Sequence, residues 1–333
     1  MSKYIKLKNK FNTEVTLCTI GASIYDIKTL DRNNICESIL YRPLKKDDFE
    51  ISDGYYGKTI GRTGGRVSNS KFILNNKEYI IKSSDPNGLH GGSDGLSFKE
   101  FEFVKNTTSE YKEVIFSYLS KDLESGYPGN LTLKVIYRLY NNINKLTLRY
   151  EAYSDKDTLL NLSNHSYFNL SGNAIDGIED HKLYINASNM EEIKNLIPQR
   201  IVSCDKIYSF KNSHRIGDYL FSDEIINNTN GYDFPYIFDD SKDFNIILKE
   251  DESGRVLKVK TTYPVVVIYT CNYVGDEIMN NGTKAMPYNA VCLECMYHPN
   301  TINSDFISLK NDILRKDMKY DNTIEYYFEV END

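Results

Sequence analysis

Apolar and polar side chains alternate with a period of two, and this pattern most constrains the fold of the chain. It is clearest at residues 131–140, where the two kinds of side chain point to opposite faces: Leu131, Leu133, Val135, Tyr137 and Leu139 against Thr132, Lys134, Arg138 and Tyr140. Residues 146–153 repeat the pattern after the turn-forming run Asn-Asn-Ile-Asn at 141–144. A period of two is that of a β-strand with one buried face. We therefore predict an antiparallel hairpin here.

Shorter segments of the same kind indicate further strands at residues 13–18, 72–74, 78–82, 99–105, 112–119, 255–262, 264–270, 289–295 and 324–330. Helical periodicity is weak, with single turns predicted near 190–195 and 220–226. A length of 333 residues suggests about two domains, but no repeat and no low-complexity linker divides the chain. We predict an all-β fold, a large antiparallel β-sandwich that forms one domain over residues 1–333.

Composition narrows the classes of function. The chain carries 47 acidic and 40 basic residues, a net charge of −7, which argues against binding to nucleic acid. No stretch approaches the ~18 apolar residues of a membrane span, and the first residues lack the apolar core of a signal peptide. We therefore expect a cytoplasmic protein without a membrane partner, whose six cysteines are free thiols.

Two histidines lie in unusual local sequences. His90 stands in Asn-Gly-Leu-His-Gly-Gly at 87–92, where glycines on both sides allow a tight turn that presents the imidazole to a cleft. His165 lies in Asn-Leu-Ser-Asn-His-Ser-Tyr-Phe-Asn-Leu at 161–170, directly after a predicted strand. A hydrogen-bonded structural histidine is the alternative for each of them.

Two acidic residues stand out in the same way. Glu294 interrupts an apolar strand at 289–295, on the same face as Cys292, and a carboxylate there is costly unless it is paired or functional. Asp233 lies between Tyr232 and Phe234, an arrangement found in sugar-binding subsites, although a turn-forming role beside Gly231 explains it equally well.

Arginine and cysteine pairs complete the candidates. Arg62 and Arg66 frame a glycine-rich turn, where they could donate to a polyhydroxylated ligand or pin the loop to a carboxylate. Cys292 and Cys295 have the spacing of half a metal site, but positions i and i+3 of a strand face opposite ways. We expect no metal there. The chain has 27 Tyr and no Trp, so any ring that stacks on a ligand must be Tyr, Phe or His.

Taken together, these motifs resemble the aldose 1-epimerases, or galactose mutarotases. The matches occur in the family's order and cover nearly the whole chain: Gly61-Arg62-x-x-x-Arg66-Val67, Leu89-His90-Gly91-Gly92, the run at 161–170, Gly231-Tyr232-Asp233, and Leu293-Glu294 followed by Pro299 and Asn303. The Asn-His-Ser-Tyr-Phe-Asn-Leu run is the most specific of them.

The resemblance implies a mutarotase-type supersandwich that interconverts the α and β anomers of an aldohexose without cofactor or metal. It implies that Glu294 is the catalytic base and His165 the catalytic acid. It also implies that Arg66, His90 and Asp233 hold the sugar, a small-molecule aldose. The chain departs from the family pattern at four positions, which bear on sugar preference: Gly65 for Asn, Phe234 for His, Met296 for Gln and Asn300 for Asp.

Other functions remain open at this point. A glycoside hydrolase could use Asp233 and Glu294 as its two carboxylates, and a non-catalytic sugar-binding or regulatory protein could share the scaffold. An epimerase acting on hexose phosphates would need additional cationic residues at the cleft. The sequence ranks neither the preferred aldose nor monomer against homodimer.

Overall fold

The computed structural model describes residues 2–240, 243–307 and 312–332. Strands make up most of the regular structure of these residues. In chain order the elements are β1 (Tyr4–Lys8), β2 (Glu14–Cys18), β3 (Ser23–Leu30), β4 (Cys36–Ser38), α1 (Lys46–Ile51), β5 (Thr59–Ile60), β6 (Lys71–Leu74), β7 (Lys77–Ile80), β8 (Glu102–Thr107), β9 (Tyr111–Ser120), β10 (Leu131–Tyr140), β11 (Lys145–Ser154), β12 (Thr158–Leu159), β13 (Ser163–Asn164), β14 (Tyr167–Phe168), β15 (Lys182–Ile185), β16 (Ala187–Lys194), β17 (Ile197–Ser203), β18 (His214–Arg215), α2 (Gly217–Leu220), α3 (Asp223–Thr229), β19 (Asp233–Phe238), β20 (Ile246–Lys249), β21 (Arg255–Thr261), β22 (Val265–Tyr269), β23 (Val291–Met296), β24 (Ile313–Leu314) and β25 (Tyr320–Val330).

The predicted antiparallel all-β fold is confirmed. Strands β10 and β11 form the predicted hairpin, with Leu139 opposite Leu146. Its apolar face is buried, as the alternation predicts. The other predicted strands correspond to β2, β6 to β9, β21 to β23 and β25.

Two large sheets pack face to face. The first has nine strands in the order β18-β15-β20-β21-β25-β11-β10-β9-β8, and the second has six in the order β14-β23-β22-β19-β16-β17. Side chains from both sheets, such as Leu133 and Leu148 from the first and Phe234 and Leu293 from the second, belong to one buried core. This arrangement is the sandwich that the alternating pattern predicts. A four-stranded sheet of β1 to β4 and three two-stranded sheets account for the other strands of the described residues.

The six-stranded sheet also has an outer face, and this face positions the candidate site. Along β23, Leu293 and Cys295 point into the sandwich core. Cys292 packs in a separate apolar cluster, and Glu294 lines a cavity outside the core. Because successive side chains of a strand alternate, one short strand serves both the core and the cavity.

One local prediction is wrong and another is confirmed. Residues 190–195 are predicted as a helical turn, but residues 187–194 form β16, which pairs with β17 and β19. Met190, Glu191 and Glu192 are good helix formers, and the pairing on both sides overrides that local preference. Near 220–226 the chain is helical, in α2 and α3. The prediction of one domain over residues 1–333 remains a prediction, and in the described ranges no helix is long and apolar enough to cross a membrane.

Candidate active site

A cavity of about 530 Å³ lies between the outer face of the six-stranded sheet and the loops that cover it. This volume is within the usual range for small-molecule sites. All five side chains predicted from sequence to form the site line this cavity: Arg66, His90, His165, Asp233 and Glu294. The fold therefore brings together residues that are far apart in sequence.

The two carboxylates are fixed by strand pairing. Glu294 on β23 lies opposite Val267 of β22, and Asp233 on β19 lies opposite Tyr269 of the same strand. Strand β22 thus runs between the two carboxylates, and Val267 and Tyr269 also line the cavity. Because all three strands belong to one sheet with an apolar core behind it, both carboxylates are held rigidly.

His165 follows β13, and the backbone holds it on both sides. Its N–H donates to the carbonyl of Lys58 at 3.0 Å, and its carbonyl accepts from the N–H of Gly57 at 2.9 Å. The ring Nε2 lies 3.3 Å from Oε1 of Glu294. The other ring nitrogen, Nδ1, lies 3.5 Å from the sulfur of Cys292.

His90 occupies the tight turn that its flanking glycines predict. It adopts a left-handed backbone with φ of 47°. The next residue, Gly91, has φ of +90°, and a Cβ there would lie 1.9 Å from the carbonyl oxygen of Gly61. The N–H of Gly65 donates to Nδ1 of His90 at 3.2 Å. A neutral His90 therefore carries its proton on Nε2 and can donate to a ligand in the cavity.

The two arginines have different roles. Arg62 is only 2% exposed, and its guanidinium donates to the carbonyls of Pro128 at 2.8 Å and Gly129 at 3.0 Å, among other partners. It therefore pins a loop, although to carbonyls and hydroxyls rather than to a carboxylate. Arg66 lines the cavity, and its Nε lies 3.5 Å from Oδ2 of Asp85.

Burial shifts the pKa of four acidic and imidazole groups that line the cavity: Glu294, Asp233, His165 and His90. It raises the pKa of Glu294 well above its ordinary value, and the nearby Asp233 charge raises it further. Burial also raises the pKa of Asp233 to about 6. In the opposite direction, it lowers the pKa of His165 to about 4 and that of His90 well below 6.5. Burial thus favours the uncharged forms of Glu294 and His165, in which the pair shares one exchangeable proton.

Tyrosine side chains line the rest of the cavity, and two of them, Tyr55 and Tyr269, were not singled out from the sequence. Tyr55 lies edge-on to His90, with ring centroids 4.7 Å apart, and Tyr167 lies 4.9 Å from His165. Tyr269 faces His165 at 6.0 Å. Tyr167 belongs to the 161–170 run that the sequence analysis proposed for the site. The high Tyr content and the absence of Trp indicated that any stacking ring would be Tyr, Phe or His, but no pattern marked Tyr55 or Tyr269.

The interpretation of Asp233 as an acid flanked by sugar-binding aromatics is wrong. Tyr232 and Phe234 are 0% and 1% exposed and pack in the sandwich core. Because neighbours along a strand alternate, the residues beside Asp233 in sequence point away from the cavity. The aromatic partner on its own face is Tyr269, across the strand pair.

The four departures from the family pattern lie in different surroundings. Phe234 is in the core, and Met296 is fully buried beside Ile60 and Val267. Gly65 lines the cavity, where a Cβ would lie 3.0 Å from Pro299. The side-chain oxygen of Asn300 accepts from the backbone N–H of Ser68 at 2.9 Å. Gly65 is thus the departure whose position borders the ligand space directly.

Cys292 and Cys295 face opposite sides of β23, as their spacing predicts. Both are free and buried, and the other four cysteines are free as well. The expectation of free thiols is confirmed.

Comparison with known proteins now identifies the family. The family model for aldose 1-epimerase matches residues 3–327. This chain belongs to the aldose 1-epimerase family. Family members are isomerases of carbohydrate metabolism, and membership supports the interconversion of aldose anomers.

Individual relatives agree with this assignment. Human galactose mutarotase is 30% identical over 323 residues, which cover 95% of this chain and 91% of the relative. Aldose 1-epimerase from Escherichia coli is 26% identical over 337 residues, which cover 99% of this chain and 96% of the relative. The crystal structure of an aldose epimerase homologue from C. elegans superposes with a TM-score of 0.91 at 26% identity, covering 100% of both chains. The structure of galactose 1-epimerase from Lactobacillus acidophilus superposes with a TM-score of 0.87 at 26% identity, covering 100% of this chain and 99% of the other.

Proposed function

We propose that the protein interconverts the α and β anomers of an aldohexose, with Glu294 as the general base and His165 as the general acid. The observation that carries this proposal is the 3.3 Å separation of Glu294 Oε1 and His165 Nε2 at the wall of one cavity. The two sugar oxygens that exchange protons, the C1 hydroxyl and the ring oxygen, are bonded to the same carbon. An acid and a base that serve both must therefore lie close together.

The proton balance follows from the shared proton. In the reactive form Glu294 is a carboxylate and His165 an imidazolium. Glu294 takes the proton of the C1 hydroxyl, Nε2 of His165 gives its proton to the ring oxygen, and the C1–O5 bond breaks to leave the open-chain aldehyde. The pair is now a carboxylic acid and a neutral imidazole. After rotation about C1–C2, closure on the other face reverses both transfers, so no cofactor is required.

The environment suits this cycle. Burial favours the uncharged pair, which is the form reached after ring opening, so the transfer of both protons does not leave a stranded charge in the cavity. During the cycle Nδ1 of His165 keeps its proton, beside the sulfur of Cys292.

The remaining polar groups are assigned to sugar binding. Nε2–H of His90 and the guanidinium of Arg66 donate to hydroxyls or to the ring oxygen. The Asp233 carboxylate accepts from hydroxyl groups. Tyr55 and Tyr269 offer flat faces to the C–H side of the sugar ring.

Polarimetry of freshly dissolved α-galactose and α-glucose tests the proposal. We expect the protein to accelerate mutarotation, and we expect Glu294→Gln to lower kcat by about 10²- to 10⁴-fold. Near-normal mutarotation by a folded Glu294→Gln protein would contradict the role of Glu294. Sugar binding without acceleration would favour a non-catalytic binding protein.

Two carboxyl groups of the cavity also fit a glycoside hydrolase, and the same protein can be assayed for that activity. Asp233 and Glu294 interact, and burial raises the pKa of both. Release of the aryl group from aryl glycosides would support hydrolysis, whereas mutarotation without release rejects it.

A further inference from the structure

Three metal-ligating groups converge in the cavity. The ligating atoms of His90, His165 and Glu294 all lie within 4.8 Å of one another, and all three residues are buried. Two imidazoles and one carboxylate on a shared cavity are a donor set that transition metals use, with further coordination positions left to water or ligand. We infer that a borderline transition-metal dication such as Zn²⁺ binds this cluster and excludes the sugar.

The chemistry of the donors selects the class of metal. Mg²⁺ and Ca²⁺ prefer oxygen ligands, and two of the three groups here offer nitrogen. Zn²⁺ accepts imidazole and carboxylate together. The ion is therefore expected to be Zn²⁺ or a related ion such as Co²⁺, not an alkaline-earth ion.

The second nitrogen of each imidazole sets the strength of binding. A histidine that ligates through Nε2 keeps a proton on Nδ1 and donates it to a neighbour. His165 satisfies this condition, since its Nδ1 lies 3.5 Å from the Cys292 sulfur. His90 does not, because its Nδ1 accepts the Gly65 N–H. Ligation by His90 requires loss of that hydrogen bond, so the ion is held reversibly and not as a permanent structural metal.

Binding would block the atoms that handle the sugar. The lone pair of Glu294 and that of His165 Nε2 would both be occupied by the metal. The inference that Zn²⁺ inhibits rests on the proposed function, whereas the inference that Zn²⁺ binds does not. The two are measured separately.

Binding is measured on the full chain, free of any polyhistidine tag and freed of metal by a chelator, by titration calorimetry with ZnCl₂. We expect about one Zn²⁺ per chain and no heat with MgCl₂ or CaCl₂. His90→Asn is the sharpest variant, because asparagine places its amide oxygen near the Nδ1 position, where it can keep the Gly65 contact, but offers no ligand at Nε2. We expect His90→Asn and Glu294→Gln each to weaken Zn²⁺ binding at least about tenfold.

Two control variants address binding elsewhere. His214 lies 3.6 Å from Asp218, and His298 contacts Glu191, so each could hold an adventitious ion. We expect His214→Asn and His298→Asn to leave the affinity for Zn²⁺ unchanged. Loss of binding in either control, its persistence in His90→Asn and Glu294→Gln, or no binding by the wild type at millimolar ZnCl₂ would overturn the site.

The link to function is tested by polarimetry. We expect Zn²⁺ to raise the apparent KM for the aldose and to leave kcat unchanged. Addition of a chelator should restore the original KM. If Zn²⁺ binds at these residues but the protein shows no mutarotation without metal, the proposed function fails and the metal site stands. If mutarotation is normal and Zn²⁺ does not bind, only the metal site fails.

Discussion

Two buried glutamates, each beside a histidine, lie on the six-stranded sheet in different settings. Glu191 on β16 is 0% exposed, and Oε1 accepts a hydrogen bond from Nδ1 of His298. Glu294 on β23 is 3% exposed and lies 3.3 Å from Nε2 of His165. Burial raises the pKa of both carboxyl groups. What differs is the surroundings, because the Glu294–His165 pair borders the cavity and Glu191 does not.

The difference shows how the same two residue types serve structure in one place and chemistry in another. The hydrogen bond with His298 opposes the rise in the pKa of Glu191, because it stabilises the charged carboxylate. No comparable hydrogen bond from His165 relieves Glu294, whose pKa rises well above its ordinary value. A pair whose polar atoms line a cavity can exchange protons with a ligand. The same residue types away from the cavity mainly stabilise the fold.

The largest effect is expected at His165. We expect His165→Asn to lower kcat by about 10²- to 10⁴-fold, since asparagine removes the proton donor at Nε2. Circular dichroism should show an unchanged fold. His165→Gln is the matched control, because its amide reaches the Nε2 position but cannot give up a proton. Recovery of the rate in His165→Gln would mean that a hydrogen bond, not proton transfer, is what His165 supplies.

The corresponding change in the other pair should act on stability. His298→Ala leaves Glu191 buried without its partner, and we expect the free energy of unfolding to fall by about 1–3 kcal/mol. Denaturant titration measures this, and kcat should stay within about threefold of wild type. His298→Asn retains a donor near the Nδ1 position and should recover most of the stability. If kcat falls together with stability, the Glu191–His298 pair also supports catalysis, and the proposed difference between the two pairs is wrong.

A smaller effect is expected at Asp233, which tests whether burial of cavity carboxylates costs stability. Its pKa is raised from 3.8 to about 6. A raised carboxyl pKa contributes stability that is fully present below pH 3.8 and is lost as the pH rises through about 6. At pH 7.5 the charged side chain is therefore unfavourable to folding, and Asp233→Asn should raise Tm.

The same variant should raise KM by about tenfold, because the amide replaces a charged acceptor of sugar hydroxyls. In the wild type KM should rise below about pH 6, as Asp233 becomes protonated, and in Asp233→Asn this part of the pH dependence should disappear. Calorimetric Tm at pH 7.5 and polarimetry between pH 5 and 8 supply the two measurements. A lower Tm with unchanged KM would place Asp233 among the structural carboxylates with Glu191.

Much of the fold could be predicted from the alternation of apolar and polar residues, because every second residue of a half-buried strand faces the core and is apolar. The β10–β11 hairpin shows this, since its register pairs the residues that the pattern assigned to one face. Strand β16 could not be predicted in this way. Its residues favour a helix locally, and its strand conformation depends on pairing with β17 and β19. No local pattern carries that information.

The site divides in the same way. His90, His165 and Glu294 could be singled out because each is chemically unusual in its own segment. Tyr55 and Tyr269 could not, since they become neighbours of the two histidines only when loops and strands meet. The misreading of Tyr232 and Phe234 has a simple physical origin. Sequence neighbours on a strand occupy opposite faces, and the neighbour that matters to Asp233 lies on the next strand.

The double use of β23 has a consequence for protein engineering. Leu293 and Cys295, the residues before and after Glu294, fill the sandwich core behind the cavity. Randomising this strand to change sugar preference would therefore cost folding stability as well as activity. The cavity rim is different, because Asp53, Tyr55, Tyr273 and Glu277 come from loops outside the strands. A mutant library aimed at new substrates should therefore diversify these loop positions and keep the sheet constant.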